Sequence, residues 1–341
     1  MVNSVPSGFA GDAIASLRSA GLISGNVPTI TALGGGVSCD ILLIEDGTRQ
    51  IVVKRALEKL RVKAEWFADP GRNRAEQDYL WYAHGIVPNS VPRILYADPG
   101  RNFFAMEYLG AGWNNWKGEL LAGRVETRYA VTAGETLAAI HRASWENGAL
   151  REQFATTANF AKLRIEPYLL TAGARNPALE SYFQAEAVRL AASSLALVHG
   201  DFSPKNILVA DGSARIALLD CEVAWFGDPA FDPAFFLNHL LLKALHQPAL
   251  RARHLAVGIE FLEAYRPELR ECWSAELEVR ICRLTLLLLL ARVDGKSPVE
   301  YLENQPEKQR LVREFVAREL AAPLTDWTAL AARWTAALPP S

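Results

Sequence analysis

Residues 198–232, VHGDFSPKNILVADGSARIALLDCEVAWFGDPAFD, constrain the fold more than any other stretch, because polar turns alternate with short apolar runs in an order that suits a hairpin. The run 207–210 (ILVA) reads as a strand, Asp211-Gly212 as a turn, and 215–219 (RIALL) as the returning strand. That return delivers Asp220 beside Asn206. Asn206 lies five positions after Asp201, so one short loop can turn both side chains the same way. An aspartate facing a hydroxyl, with an asparagine and an aspartate holding magnesium, is what moving a γ-phosphate requires. Mg²⁺ suits such a place, since it takes few protein ligands and completes its shell with waters and phosphate oxygens. Singly, the three residues read as a turn aspartate, a capping asparagine and a surface carboxylate; their order between apolar strands favours the functional reading.

The pattern His199-Gly200-Asp201, Asn206 and Asp220 resembles the aminoglycoside phosphotransferase family, over about Leu33 to Asp232. The resemblance implies an α+β, bilobal, protein-kinase-like fold with a small β-rich N-lobe and a larger helical C-lobe. It further implies transfer of phosphate from ATP (or GTP) to a hydroxyl of a small molecule, with Asp201 as the catalytic base and Asn206 and Asp220 on Mg²⁺. Asp232, in the family's segment after the metal aspartate, is expected to support the loop by bonding its backbone. His199, next to apolar Leu197 and Val198, reads as a satisfied core histidine rather than a proton shuttle.

A nucleotide clamp should lie upstream. Gly34, Gly35 and Gly36 form a glycine-rich turn that lets backbone N–H groups approach phosphates, and Lys54 ends the second strand-like run after it. Lys54 needs an acidic partner. Glu76 is the first choice because RNRAEQDYLWYAHG has helical periodicity, with Glu58 and Glu65 as alternatives. Two further strand-like runs lead to Glu107, Tyr108 and Leu109, where backbone groups would hydrogen-bond adenine as the family hinge does. The N-lobe is expected at 1–109, the hinge at about 107–112 and the helical lobe at 113–341.

Residues 54–76 are locally similar to 5-methylthioribose kinases at Ala56, Leu57, Arg61, Glu65, Trp66, Arg72 and Glu76. Asp220-Cys221-Glu222 fits the D-x-E magnesium motif of those kinases, which implies Glu222 as a third ligand; Asn206 departs from them. A protein kinase carries an Arg before the catalytic Asp, a Phe-Gly after the metal Asp and a long activation segment. Here Gly200 precedes Asp201, Cys221-Glu222 follows Asp220, and the chain soon enters an apolar helix pattern, so the acceptor is expected to be small. Sugars, methylthioribose-like metabolites, amino alcohols and aminoglycosides are the classes considered. Ser203 stands where protein kinases have a phosphate-contacting lysine; Lys205 either compensates or is simply solvated. Glu166, Trp225, Asp228 and Arg292 are candidates for the acceptor site. Trp225 reads equally as core packing, and Arg292 as a cation favoured at a helix C-terminus. A nucleotide-binding pseudokinase is the competing class, and retention of Lys54, Asp201, Asn206 and Asp220 argues against it.

Bulk properties exclude other classes. The 341 residues carry a net charge of −2, so no basic field points to nucleic acid. Cys39, Cys221, Cys272 and Cys282 have no metal-ligand or disulfide spacing, and the first residues lack a secretory pattern, so a cytoplasmic setting is expected. The greasiest run, 284–291, is far shorter than the roughly 20 residues a membrane span needs. It reads as a buried helix. Residues 1–30 are expected to form a helical preface, VTAGETLAAIHRAS a central helix, and Pro267, Pro298, Pro306 and Pro323 to punctuate a helical C-terminal part.

Overall fold

The computed structural model describes residues 7–24, 27–34, 38–47, 49–59, 61 and 69–339. The chain divides into two compact units, Met1–Gly112 and Trp113–Ser341.

The N-terminal unit is built on a five-stranded antiparallel sheet in the order β1-β2-β3-β5-β4. The strands are β1 (Thr29–Ala32), β2 (Cys39–Asp46), β3 (Arg49–Ala56), β4 (Ile94–Asp98) and β5 (Phe103–Glu107). Asp46 pairs with Arg49 across the tight β2–β3 turn, in which Gly47 takes a φ of 62°. Helix α1 (Ser7–Ser19) lays Phe9, Ala13 and Leu17 on Leu42, Ile44, Val53 and Phe103 of the sheet. The helical preface is therefore part of this unit's core, and its fully buried Leu17 would cost about 2–5 kcal/mol on truncation to Ala. Helix α2 (Arg72–Ile86) covers strands β3, β4 and β5, burying Tyr79 and Leu80, while Tyr82 is only half-buried.

In the C-terminal unit, β6 (Trp113–Asn115) leads into α3 (Trp116–Leu121) and α4 (Arg128–Ser144). Short helices α5 (Gly148–Gln153) and α6 (Thr157–Phe160) run into a π-helical segment, Ala161–Leu170, that contains Pro167. Proline has no N–H to donate, which is one reason for the regular ladder to be abandoned there. Then follow α7 (Thr171–Arg175), α8 (Glu180–Ala192), β7 (Ala196–Val198), β8 (Ile207–Ala210), β9 (Ile216–Leu218) and β10 (Trp225–Gly227). β6, β8 and β9 form one antiparallel sheet, and β7 pairs with β10.

The remaining chain is helical: α9 (Phe231–His246), α10 (Arg251–Leu269), α11 (Ala275–Asp294), α12 (Pro306–Leu320) and α13 (Trp327–Ala337). Every residue of α9 from Phe231 to Leu245 is buried, as expected of a helix apolar on all sides, and α10 and α11 pack on it. The run 284–291 lies buried in α11, and among the described residues no helix is long and apolar enough to cross a membrane. Pro306 opens α12, where its missing N–H is harmless, but Pro267 lies inside α10 rather than ending it. Helices α4 and α10 cross closely at Gly134. A Cβ there would stand 2.3 Å from the Phe261 carbonyl oxygen.

Burial holds His199, His239 and His254 below the usual histidine range, His254 at about 4. In the unfolded chain these imidazoles titrate near pH ~6.5. Below that pH the unfolded state takes up protons that the folded state refuses, so stability falls as the medium is acidified. Tm is expected to decline steadily from about pH 6.5 towards the His254 value of about 4, and His254→Gln to shallow the slope. A Tm that stays flat across this window would contradict the assignment of neutral buried imidazoles.

Candidate active site

The hairpin sets the site. β8 and β9 pair in the register Ile207 to Leu218 and Val209 to Ile216, and Leu219 N donates to Asn206 O at 2.9 Å. Asp220 therefore begins one residue beyond the bond that fixes Asn206. Its φ of 64° is left-handed, a conformation aspartate tolerates better than most residues. Asn206 donates through Nδ2 to the Asp201 carbonyl at 3.0 Å, which leaves Oδ1 as its acceptor. Carboxylate oxygens of Asp220 and Glu222 approach within 4.8 Å of each other. Two carboxylates this close form a donor set suited to a hard divalent cation.

Asp201 is 4 % exposed and flanked by two cations. Arg164 Nη2 lies 3.0 Å and Lys205 Nζ 2.9 Å from its Oδ2. Burial pushes its pKa up, but Arg164 and Lys205 outweigh burial and hold it below the ordinary carboxylate range. Its other oxygen, Oδ1, is buried and has no hydrogen-bond partner among the described residues. Arg164 comes from the π-helical segment, donates through Nε to the Gly200 carbonyl at 2.5 Å, and lies over the rings of Tyr168 and Phe235. The sequence reading missed this residue. Its only sequence signal is a lone cation between Leu163 and Ile165, and the π-helical turn that aims it leaves no periodic trace.

The loop is held from behind by Asp232. Its carboxylate accepts His199 N–H at 2.7 Å and Gly200 N–H at 2.9 Å, and it meets His141 Nε2 at 3.3 Å. Gly200 sits at φ 78°, and a Cβ on it would stand 2.5 Å from the Val223 carbonyl oxygen, so only glycine fits before Asp201. His199 accepts Asp201 N–H on Nδ1 and donates from Nε2 to Leu219 O, and burial lowers its pKa. It is a neutral strut in the core.

In the N-terminal unit, Lys54 in the middle of β3 meets Glu76 of α2 at 2.8 Å, with both side chains almost fully buried. Arg72 of the same helix donates to the carbonyls of Ser38 and Leu57, and Arg55 and Arg61 both pair with Asp40. Gly34 follows β1 and is exposed; Gly35, Gly36, Glu65 and Trp66 lie outside the described residues. Glu107 and Leu109 are half-buried at the end of β5, where Glu107 N donates to Arg93 O.

Three acceptor-site expectations meet a different environment. Asp228 has no exposed surface, because its carboxylate is consumed by Arg189, Arg280 and the Ala230 N–H. Trp225 is fully buried and stacks on Phe160 with centroids 3.8 Å apart, so the packing reading holds. Glu166 is exposed and paired with Lys296 at 2.7 Å. Arg292 bonds Ser297 and the Tyr168 hydroxyl from the last turn of α11.

The model of the phosphotransferase enzyme family matches residues 29–272, a span that includes every one of these features from Lys54 to Asp232. The chain belongs to that family. It is similar to methylthioribose kinases from Yersinia pseudotuberculosis, at 28% identity over 288 residues covering 74% of this chain and 69% of the relative, and from Pectobacterium atrosepticum, at 27% identity covering 74% and 70%. In fold it is similar to an ethanolamine kinase from Plasmodium vivax (TM-score 0.51, 13% identity, 96% of this chain and 86% of that one). A spectinomycin phosphotransferase solved with ADP and spectinomycin shares the fold too (TM-score 0.50, 13% identity, 96% and 98%). The fold is thus α+β and protein-kinase-like, and the protein is a small-molecule kinase.

Removing one partner of a buried ion pair strands the other charge, at a cost of about 3–5 kcal/mol. Glu76→Leu alone is therefore expected to destabilise the protein more than the paired change Lys54→Met with Glu76→Leu, as read from urea unfolding midpoints. Asp232→Ala should lower stability by about 2 kcal/mol or more, since it leaves two buried N–H groups unbonded. An Asp232→Ala midpoint equal to wild type would remove the case for Asp232 as the loop's anchor.

Proposed function

We propose that the protein transfers the γ-phosphate of ATP to a hydroxyl group of a small molecule, with Asp201 as the base. The observation that carries this reading is the split environment of Asp201. One oxygen is held by Arg164 and Lys205, while the other is buried and unbonded. A hydroxyl donating to Oδ1 would satisfy that atom and present its own oxygen for attack.

A carboxylate held below its ordinary pKa is a weak proton acceptor. That suffices for a loose phosphoryl transition state, in which the hydroxyl proton leaves late and positioning supplies most of the acceleration. Arg164 fixes the rotamer of Asp201 and ties it to the Gly200 carbonyl, and Asn206 closes the loop through the Asp201 carbonyl. Magnesium fits the oxygens of Asn206, Asp220 and Glu222; bound there it would neutralise phosphate charge. Lys54, held extended by Glu76, is the residue for the α- and β-phosphates. The glycine turn at 34–36 and the backbone at Glu107 and Leu109 would complete the nucleotide site. Methylthioribose, the substrate in the relatives' names, is the first acceptor to test.

Asp201→Asn is expected to lower turnover by about 10²-fold or more while leaving nucleotide affinity within about twofold, and Asp220→Ala to weaken magnesium-dependent nucleotide binding. ADP release across a panel of hydroxylated metabolites, paired with calorimetric nucleotide titration, reads both effects. An Asp201→Asn enzyme that phosphorylates its acceptor at the wild-type rate would sink the assignment.

A further inference from the structure

Two strands end together at the site. β7 and β10 pair antiparallel, and Val198 opposite Trp225 is the terminal pair of their ladder. From Val198 the chain runs on through His199 and Gly200 to Asp201; into Trp225 it arrives from Glu222, Val223 and Ala224. Both active segments therefore overhang the ladder, and their spacing depends on what else holds them. Asp232 holds the first, through the N–H groups of His199 and Gly200. The second is a turn closed by Ala224 N–H on Cys221 O at 3.0 Å.

Residues 154–164 reach both overhangs. Phe226 N donates to Phe154 O at 3.2 Å, Thr156 Oγ1 to Ala224 O at 2.6 Å, and Asn159 Nδ2 to Glu222 O at 3.2 Å. Phe160 stacks on Trp225 at the ladder's end. Four residues on, Arg164 bonds Gly200 O and meets Asp201 Oδ2. Burial opposes the charge of Arg164, but Asp201 and, more weakly, Glu222 and Asp220 keep its pKa raised. Thr156 stands at the N-cap of α6, where a threonine hydroxyl ordinarily bonds its own helix. That cap bond is not made, and the hydroxyl is turned to Ala224 instead. The polar side chains of this segment are thus directed at the carbonyls of the Glu222 turn.

We infer that Thr156 and Asn159 are positioning residues for Glu222, the segment that steadies Asp201 serving the metal side of the site as well. This role rests on the phosphotransfer reading, in which Glu222 is a magnesium ligand. A bond to the Glu222 carbonyl fixes the peptide plane beside its Cα, and with it the direction in which the carboxylate leaves the turn. Groups that orient a ligand in this way typically govern metal affinity by about 10–100-fold. Spacing matters as much, since a displacement of about 1 Å between reacting groups can lower a rate by about 10²-fold.

The test titrates Mg²⁺ into the full protein and follows ADP affinity by calorimetry. Asn159→Leu and Thr156→Val keep most of the side-chain bulk and remove the donor. Each is expected to need about tenfold or more Mg²⁺ than wild type to reach half of the metal-dependent gain in ADP affinity, while ADP affinity without metal stays within about twofold. Glu222→Ala should shift the midpoint at least as far. Because Asn159 acts through Glu222, adding Asn159→Leu to Glu222→Ala should shift it no further. Wild-type midpoints in both Asn159→Leu and Thr156→Val overturn the proposal. So does an additive shift in the double variant, or an equal loss of ADP affinity with and without metal, which marks a general loosening of the fold. If Asp220→Ala still shifts the midpoint in those cases, phosphotransfer stands. Wild-type midpoints in both Asp220→Ala and Glu222→Ala count instead against the metal site of the phosphotransfer reading, and the positioning role falls with it.

Discussion

The loop that carries Asp201 hangs from one buried carboxylate. Asp232 accepts the N–H groups of His199 and Gly200, the two residues immediately before Asp201, and reaches His141 of α4 on its far side. His141 in turn bonds the Tyr265 hydroxyl of α10 at 2.8 Å. A carboxylate with no exposed surface is tolerated only when its lone pairs are filled, and here backbone and imidazole fill them. Asp232 also lies in the first turn of α9, where the helix dipole favours negative charge. The position of Asp201 is therefore referred to α4, α9 and α10 together rather than to its own loop. Gly200 has to be glycine because that suspension draws it against Val223.

On the other face of the loop, Asp201 is steadied by cations rather than by hydrogen bonds from backbone. Arg164 and Lys205 compensate its burial, at the expense of basicity. As the base in the proposed phosphoryl transfer, Asp201 could accept that loss, since positioning rather than basicity supplies most of the acceleration. Electrostatics and reaction class therefore agree, though they come from different parts of the chain. Lys205 is also a shared residue, bonded to Asp201 and lining a small void together with Lys243 and Arg292.

What could be read from the sequence follows contact distance along the chain. The hairpin, its Asp211-Gly212 turn and the meeting of Asn206 with Asp220 are local, so spacing alone places them. Lys54 and Glu76 are 22 residues apart, but a strand and an amphipathic helix each orient one partner, which favoured Glu76 over Glu58 and Glu65. Arg164 is 36 residues from Gly200 and is aimed by a π-helical turn that hydrophobic periodicity does not encode. Asp228 misled because an aspartate beside the motif reads the same whether it faces a ligand or, as here, Arg189 and Arg280 from two other helices. The cluster of Lys117, Lys205, Lys243 and Arg292 was hidden for the same reason: its members come from four separate segments, and only Lys205 and Arg292 had drawn attention.

Asn206 closes the loop with an amide nitrogen, and that bond makes the site sensitive to a single-atom exchange. Its Nδ2 donates to the Asp201 carbonyl, so hydrolysis of the amide to a carboxylic acid would replace a donor with an acceptor facing another acceptor. The other side-chain oxygen would survive, but the strut from Asn206 to the Asp201 carbonyl would not. Spontaneous deamidation of this one side chain would thus leave the loop without that strut, a form of chemical ageing detectable in mass spectra of peptides spanning Asn206.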